Sequence, residues 1–77
     1  MRNIRVKIVD CAVVTFINDE GYHVVLPLYA HDGQWQQFGS YQVYGASASD
    51  PTYSAVHALP HKWRPTQRIL SAIRKAK

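Results

Sequence analysis

Residues 4–17 read IRVKIVDCAVVTFI, and they decide the class of this fold. From Ile4 to Ile8 apolar residues alternate with basic ones, which is the period of two that turns one face of a β-strand toward a core and the other toward water. The following residues are rich in β-branched side chains but lose the strict alternation, which indicates a bulge near Asp10 and Cys11 or a portion buried on both faces. We therefore predict one long strand, continuous or broken, over residues 3–17.

Two turns divide the next part of the sequence into two further strands. Residues 18–21, NDEG, tolerate positive φ and hydrogen-bond their own backbone, so they predict a hairpin connection to a second strand over residues 22–29. Pro27 has no amide hydrogen, so this strand should lie at an edge or carry a bulge there. Residues 31–33, HDG, predict the second turn, and a third strand follows over residues 34–44.

The small-residue sequence GASASDP, at residues 45–51, follows the third predicted strand. Asp50 is a good N-cap residue and Pro51 suits the first position of a helix, so we predict a short helix over residues 51–58. The alternative is a fourth strand over residues 52–59.

A terminal helix is predicted over residues 66–76. Thr66 is the candidate N-cap, and apolar residues then recur at helical spacing, with Ile69 and Ile73 in the centre of the stripe. We expect a single α+β domain over residues 1–77, in which a small three-stranded antiparallel meander packs against this C-terminal amphipathic helix. The alternative is a small curved β-barrel with a terminal helix.

The charges are segregated along the chain. The net charge is +4, and the long stretch from Ile8 to Leu59 contains all five acidic residues and no Lys or Arg. Such asymmetry bears on partners and encounter rates rather than on fold. We expect the two basic ends to gather on one patch, separate from the sheet.

Several chemistries have no support in the sequence. The single cysteine, Cys11, lies in an apolar run, so we expect a shielded core thiol. His57 and His61 stand four apart, but Pro60 between them makes a shared helix face improbable. No metal-binding, phosphate-binding or nucleophile motif is present, so we expect no enzyme, no metal site and no cofactor.

The chain shows neither a secretory signal pattern nor an apolar run near the ~20 residues that a membrane span needs. These features predict an intracellular, cytoplasmic protein with no membrane association.

The basic tail HKWRPTQRILSAIRKAK, residues 61–77, holds six of the nine Lys and Arg residues and no acid. Cations in the last turn of a helix are stabilised by its dipole, but Lys62 and Arg64 flank the helix start, where the dipole gives no benefit. Trp63 between them either stacks on a base, as in single-strand binders, or fills the edge of the core.

Protein recognition is favoured over direct nucleic-acid recognition, because the predicted sheet carries aromatic and polar side chains and almost no cations. We expect a non-enzymatic small protein that docks on and occludes a surface of a larger protein or nucleoprotein complex. The alternative is a basic nucleic-acid-binding module that uses the C-terminal helix. The candidate partner-binding residues are Lys62, Trp63, Arg64, Arg68, Arg74, Lys75, Tyr22, Tyr41 and Tyr53.

In its size, its single domain and its lack of catalytic groups, the chain resembles small phage-encoded inhibitors such as anti-CRISPR proteins. The resemblance is one of size and composition only. It implies a viral or mobile-element protein that occludes a working surface of a host complex.

Overall fold

The computed structural model describes residues 1–45 and 53–77. Over these residues the chain forms six strands and one helix: β1 Arg2–Ile8, β2 Ala12–Ile17, β3 His23–His31, β4 Gln34–Gln37, β5 Ser40–Tyr44, β6 Ser54–Ala58 and α1 Gln67–Ala76. Most of the predicted small-residue loop, with Asp50 and Pro51, lies outside the described residues.

The strands form one antiparallel sheet in the order β1-β2-β3-β5-β6, and β4 pairs with β3 beside β5. An antiparallel sheet together with a terminal helix confirms the predicted α+β class. Because the sheet is open, the barrel alternative is wrong. The described residues form six strands rather than the three that were predicted.

The predicted first strand over residues 3–17 is two strands. β1 and β2 pair antiparallel from Ile8 opposite Ala12 onward, and the Val9 N–H donates to the Cys11 carbonyl at 2.9 Å. The loss of alternation near Asp10 therefore marks a reversal of the chain rather than a bulge. A register shift does occur earlier in β1, between Arg2 and Arg5.

The predicted third strand over residues 34–44 is also two strands, because Gly39 has a φ of +104° and ends the extended run between them. β4 pairs with Leu28–His31 of β3, and β5 pairs with His23–Val25. Pro27 falls between these two pairings on an inner strand with a regular register to β2, so the predicted edge position or bulge is wrong. The missing amide hydrogen is tolerated there because no residue of β4 or β5 stands opposite it.

The predicted short helix over residues 51–58 is wrong in its described part, where Ser54–Ala58 is the strand β6. Ala55 pairs with the buried Val43 of β5. The alternative of a strand over residues 52–59 is correct here, because pairing with β5 satisfies backbone groups that local sequence alone would place in a helix.

The core lies between α1 and one face of the sheet. Thr66 caps the helix, its Oγ1 accepting from the Ile69 N–H at 3.4 Å, and the helix packs on β1 and β2. The core residues that pack together are Ala12, Val14, Leu26, Leu28, Ile69 and Ile73. The predicted terminal helix is confirmed.

The two basic ends do not share one face, contrary to expectation. Ile4 and Val6 of β1 pack against the core beneath the helix. Because neighbouring residues of a strand point to opposite faces, Arg5 and Lys7 project from the other face of the sheet. The strict alternation that identified β1 as a strand is therefore what separates its cations from those of the C-terminal helix.

Candidate protein-binding surface

The segment between β6 and α1 places two neighbouring side chains in two different grooves. The Trp63 N–H donates to the Pro60 carbonyl at 2.9 Å, which closes a turn. The Trp63 ring is half-buried and packs against the core. The Arg64 Nη1 donates back to the Trp63 carbonyl at 2.9 Å while its side chain stays exposed. Trp63 and Arg64 therefore stand at the boundary between the two grooves.

The first is an apolar groove of about 220 Å³ between the sheet and the segment that joins β6 to α1. It is lined by Phe16, Asn18, Val24, Leu26, Tyr41, Leu59 and Trp63. The Tyr41 ring stacks on the imidazole of His57, with centroids 5.4 Å apart and 21° between the planes. Two predicted anchors, Tyr41 and Trp63, thus lie together, and both are half-buried rather than fully exposed.

The second is a cationic groove of about 540 Å³ between the helix and the β3–β4 turn. It is lined by Gly33, Gln34, Trp35, Arg64, Pro65, Leu70, Arg74 and Lys77. No acidic residue of the described chain lines it. Asp32, which precedes Gly33, has its Oδ2 3.3 Å from the Nε2 of its neighbour His31.

Two of the cations in this groove have defined contacts of their own. The Arg74 Nη2 donates to the Ser71 Oγ at 3.0 Å, and the Lys77 Nζ lies 5.3 Å from the centroid of the Trp35 ring. The cationic groove therefore offers positive charge, while part of its only tryptophan is covered by a side chain of the same molecule.

The remaining predicted cations lie elsewhere. Arg68 and Lys75 line a separate shallow surface with Ile4, on the opposite flank of the helix from Arg74. Lys62 is exposed and lines neither groove. The basic tail is therefore divided between two flanks rather than forming one continuous patch.

The predicted anchors Tyr22 and Tyr53 contact each other, with ring centroids 4.9 Å apart. Both are half-buried, and neither lines the apolar or the cationic groove. Their pairing across the sheet accounts for part of their burial, so we do not place them in the binding surface.

Sequence reasoning missed Trp35 and Lys77 as members of a site. Trp35 is half-buried against the core and also lines the cationic groove. Only the folding of the β3–β4 turn beside the helix end brings it near Lys77. The order of residues along the chain carried no signal for this contact.

Cys11 is half-buried at the turn between β1 and β2, outside the buried core. The expected core position of this thiol is therefore wrong. The cause is the chain reversal, which places Cys11 at the end of a strand pair rather than within a strand.

Within residues 1–45 and 53–77, no group of three His, Cys, Asp or Glu side chains is arranged to hold a metal ion. No helix in this part of the chain has the length and apolar character to cross a membrane.

In comparisons with known proteins, no family model, no curated protein and no solved structure matches this chain.

Proposed function

We propose that this protein is a non-enzymatic binding protein that docks on, and thereby occludes, an acidic surface of a larger protein or nucleoprotein complex. The observation that carries the proposal is the junction at Trp63 and Arg64, where an apolar groove adjoins a cationic one. Blocking a host complex, in the manner of phage-encoded inhibitors, is the form of occlusion that the size and composition of the chain favour.

The two grooves together fit a protein partner. The apolar groove offers Trp63 and Tyr41 to an aliphatic or aromatic side chain, and such buried anchors carry most of the energy of protein interfaces. Burying one such side chain is worth about 1.5–3 kcal/mol. The cations Arg64 and Arg74 beside it match carboxylates next to that anchor. The expected partner surface is therefore an apolar side chain flanked by Asp or Glu.

The nucleic-acid alternative uses the same cations. The described residues that line the cationic groove include no acid, which favours nucleic acid as much as it favours an acidic protein. The two functions differ in whether aromatic rings are free to stack on bases. Single-strand binders present aromatic rings to successive bases. Here Trp35 has Lys77 close to its ring, and Trp63 packs against the core. This arrangement ranks protein binding first.

Charge reversal on the two flanks of the helix tests the proposal. The double variant Arg64→Glu/Arg74→Glu removes the cationic groove, and Arg68→Glu/Lys75→Glu makes the same change in net charge on the opposite flank. We expect the first to weaken capture of the partner from an extract of the source cell about tenfold or more, a loss near 1.4 kcal/mol. The second should change it little, because Arg68 and Lys75 line the opposite flank of the helix, outside both grooves.

Equal losses in the two variants would overturn the proposed site, because they would show only a general charge effect. A salt titration with a single-stranded oligonucleotide separates the two functions. Tight binding by the protein alone, with a steep salt dependence that the first double variant abolishes, would replace protein recognition by nucleic-acid recognition.

A further inference from the structure

No strand of the described residues pairs with the outer edge of β6. β6 is the terminal strand of the sheet, beyond β5. The Gly45 N–H donates to the Tyr53 carbonyl, and the Leu59 N–H donates to the Gly39 carbonyl. In an antiparallel strand the N–H and C=O of one residue point to the same neighbour and alternate along the chain.

This alternation gives each residue of β6 a direction. Tyr53 and Leu59 both bond toward the β5 side, and Ala55 and His57 lie an even number of residues from them. The N–H and C=O groups of Ala55 and His57 therefore also face β5. The residues at odd spacing from Tyr53 and Leu59 are Ser54, Val56 and Ala58. Their N–H and C=O groups therefore point outward from the edge, and all three residues are exposed.

The two end strands of the sheet differ in how they resist pairing with another chain. β1 carries Arg2, Arg5 and Lys7, and it has a register shift near Asn3, whose φ is +56°. Charges and irregularities of this kind are the usual protection of an edge strand. β6, with the sequence SAVHA, carries no Asp, Glu, Lys or Arg and keeps a regular register with β5 over all five residues.

Val56 stands at the centre of the unprotected edge. Its side chain is 65% exposed, the highest value among the large apolar residues that the structure shows as exposed. It pairs with Gln42 of β5, so it lies on the face of the sheet opposite the helix. A strand added to this edge would cover both its backbone groups and part of its side chain.

We propose that a second copy of this chain pairs with β6 in antiparallel orientation, about a two-fold axis at Val56. Val56 then faces Val56 of the second copy, and Ser54 faces Ala58 of the second copy. Each facing pair exchanges two hydrogen bonds, because all three residues point outward. The proposal is independent of the proposed function, since neither groove includes a residue of β6.

A second copy is the occupant that the edge itself specifies. The contact is self-complementary, as a two-fold interface requires. It sets small residues opposite small residues and Val56 opposite Val56, so the facing side chains match in size and polarity. Each copy has a net charge of +4, and the uncharged edge lets two copies meet without placing like charges opposite each other.

The expected dimer is weak. A five-residue strand pair buries less than the ~1,000 Å² that a stable interface needs. We therefore expect monomer at low micromolar concentration and dimer near millimolar concentration in sedimentation equilibrium. In amide hydrogen exchange by NMR, Ala55 and His57 should be protected at both concentrations. Ser54, Val56 and Ala58 should become protected only at the higher one.

Three variants locate the contact. Val56→Pro removes an outward N–H that β5 does not use, and Val56→Lys places two like charges together at the axis. Both should remain monomeric. Val9→Lys is the matched control, since Val9 is 58% exposed and lies at the β1–β2 turn. It should dimerise like the unmodified protein, apart from a small effect of the added charge.

A monomer at every concentration would overturn the proposal, and so would dimerisation of Val56→Lys equal to that of Val9→Lys. Protection of Ser54, Val56 and Ala58 by an extended peptide of another protein, without self-association, would assign the edge to a different occupant. If Val56→Pro does not fold, the lysine variants and the exchange pattern still decide the matter.

Discussion

The Lys77 Nζ lies 5.3 Å from the centroid of the Trp35 ring and joins the end of the helical segment to the short strand β4. The contact joins residues 42 positions apart in sequence and forms one wall of the cationic groove. It gives a cation beyond the last helical residue an aromatic ring to contact.

Replacing Lys77 by alanine should lower the free energy of unfolding by about 0.5 kcal/mol, the usual size of an exposed cation–π contact. Lys75→Ala is the control, because Lys75 shares the favourable interaction with the helix dipole but lies on the other flank. Urea unfolding followed by tryptophan fluorescence gives both values. A loss no larger for Lys77→Ala than for Lys75→Ala would show that the ring contact contributes nothing.

Asn18 organises the turn between β2 and β3. Its Oδ1 accepts from the N–H groups of Glu20 and Tyr22, both at 3.0 Å. Asn18→Ala should therefore destabilise the protein by about 1–2 kcal/mol, since two backbone donors lose their partner. Thermal unfolding of this variant should be compared with that of Glu20→Ala, which removes an exposed side chain and leaves the backbone bond intact. Similar unfolding temperatures for the two variants would contradict the assigned role.

Ile73 is fully buried where the helix meets β1 and β2. Ile73→Ala should cost about 2–5 kcal/mol, because removal of a large core side chain loses transfer energy and leaves a cavity. In a domain of this size that loss is a large part of the total stability. Ile8→Ala, at a side chain that is 38% exposed, should cost much less in the same urea titration. Comparable losses would mean that the helix does not pack as described.

The Gln37 side-chain oxygen is buried and has no hydrogen-bond partner among the described residues. Gln37 pairs with Leu28, so it lies on the core face of β4. Gln37→Met should raise the free energy of unfolding by about 1 kcal/mol, because it replaces an unsatisfied polar group by an apolar one of similar shape. The control is Gln36→Met, which should not raise the free energy of unfolding, because it loses the 3.4 Å hydrogen bond from the Tyr29 hydroxyl. A destabilised Gln37→Met would reveal an unrecognised partner of that oxygen.

The candidate site shows where sequence reasoning reached its limit. The tail identified Arg64 and Arg74 as candidates by their charge, and Trp63 by its position between two cations. Whether those side chains act together depends on the helix phase and on the strand that lies beside it. Arg64 and Arg74 line the same groove, whereas Arg68 lies on the other flank of the helix. Only the packed structure shows which of these cations lie together.

Local patterns determined the start of β1, the turn at residues 18–21, the cap at Thr66 and the terminal helix, because alternation, turn chemistry and helical spacing act over a few residues. The tertiary structure decided the reversal at Asp10, the break at Gly39 and the strand β6. Each of these depends on which backbone groups find a partner across the sheet, and that pairing joins residues far apart in the chain. The same long-range pairing makes β6 the terminal strand of the sheet.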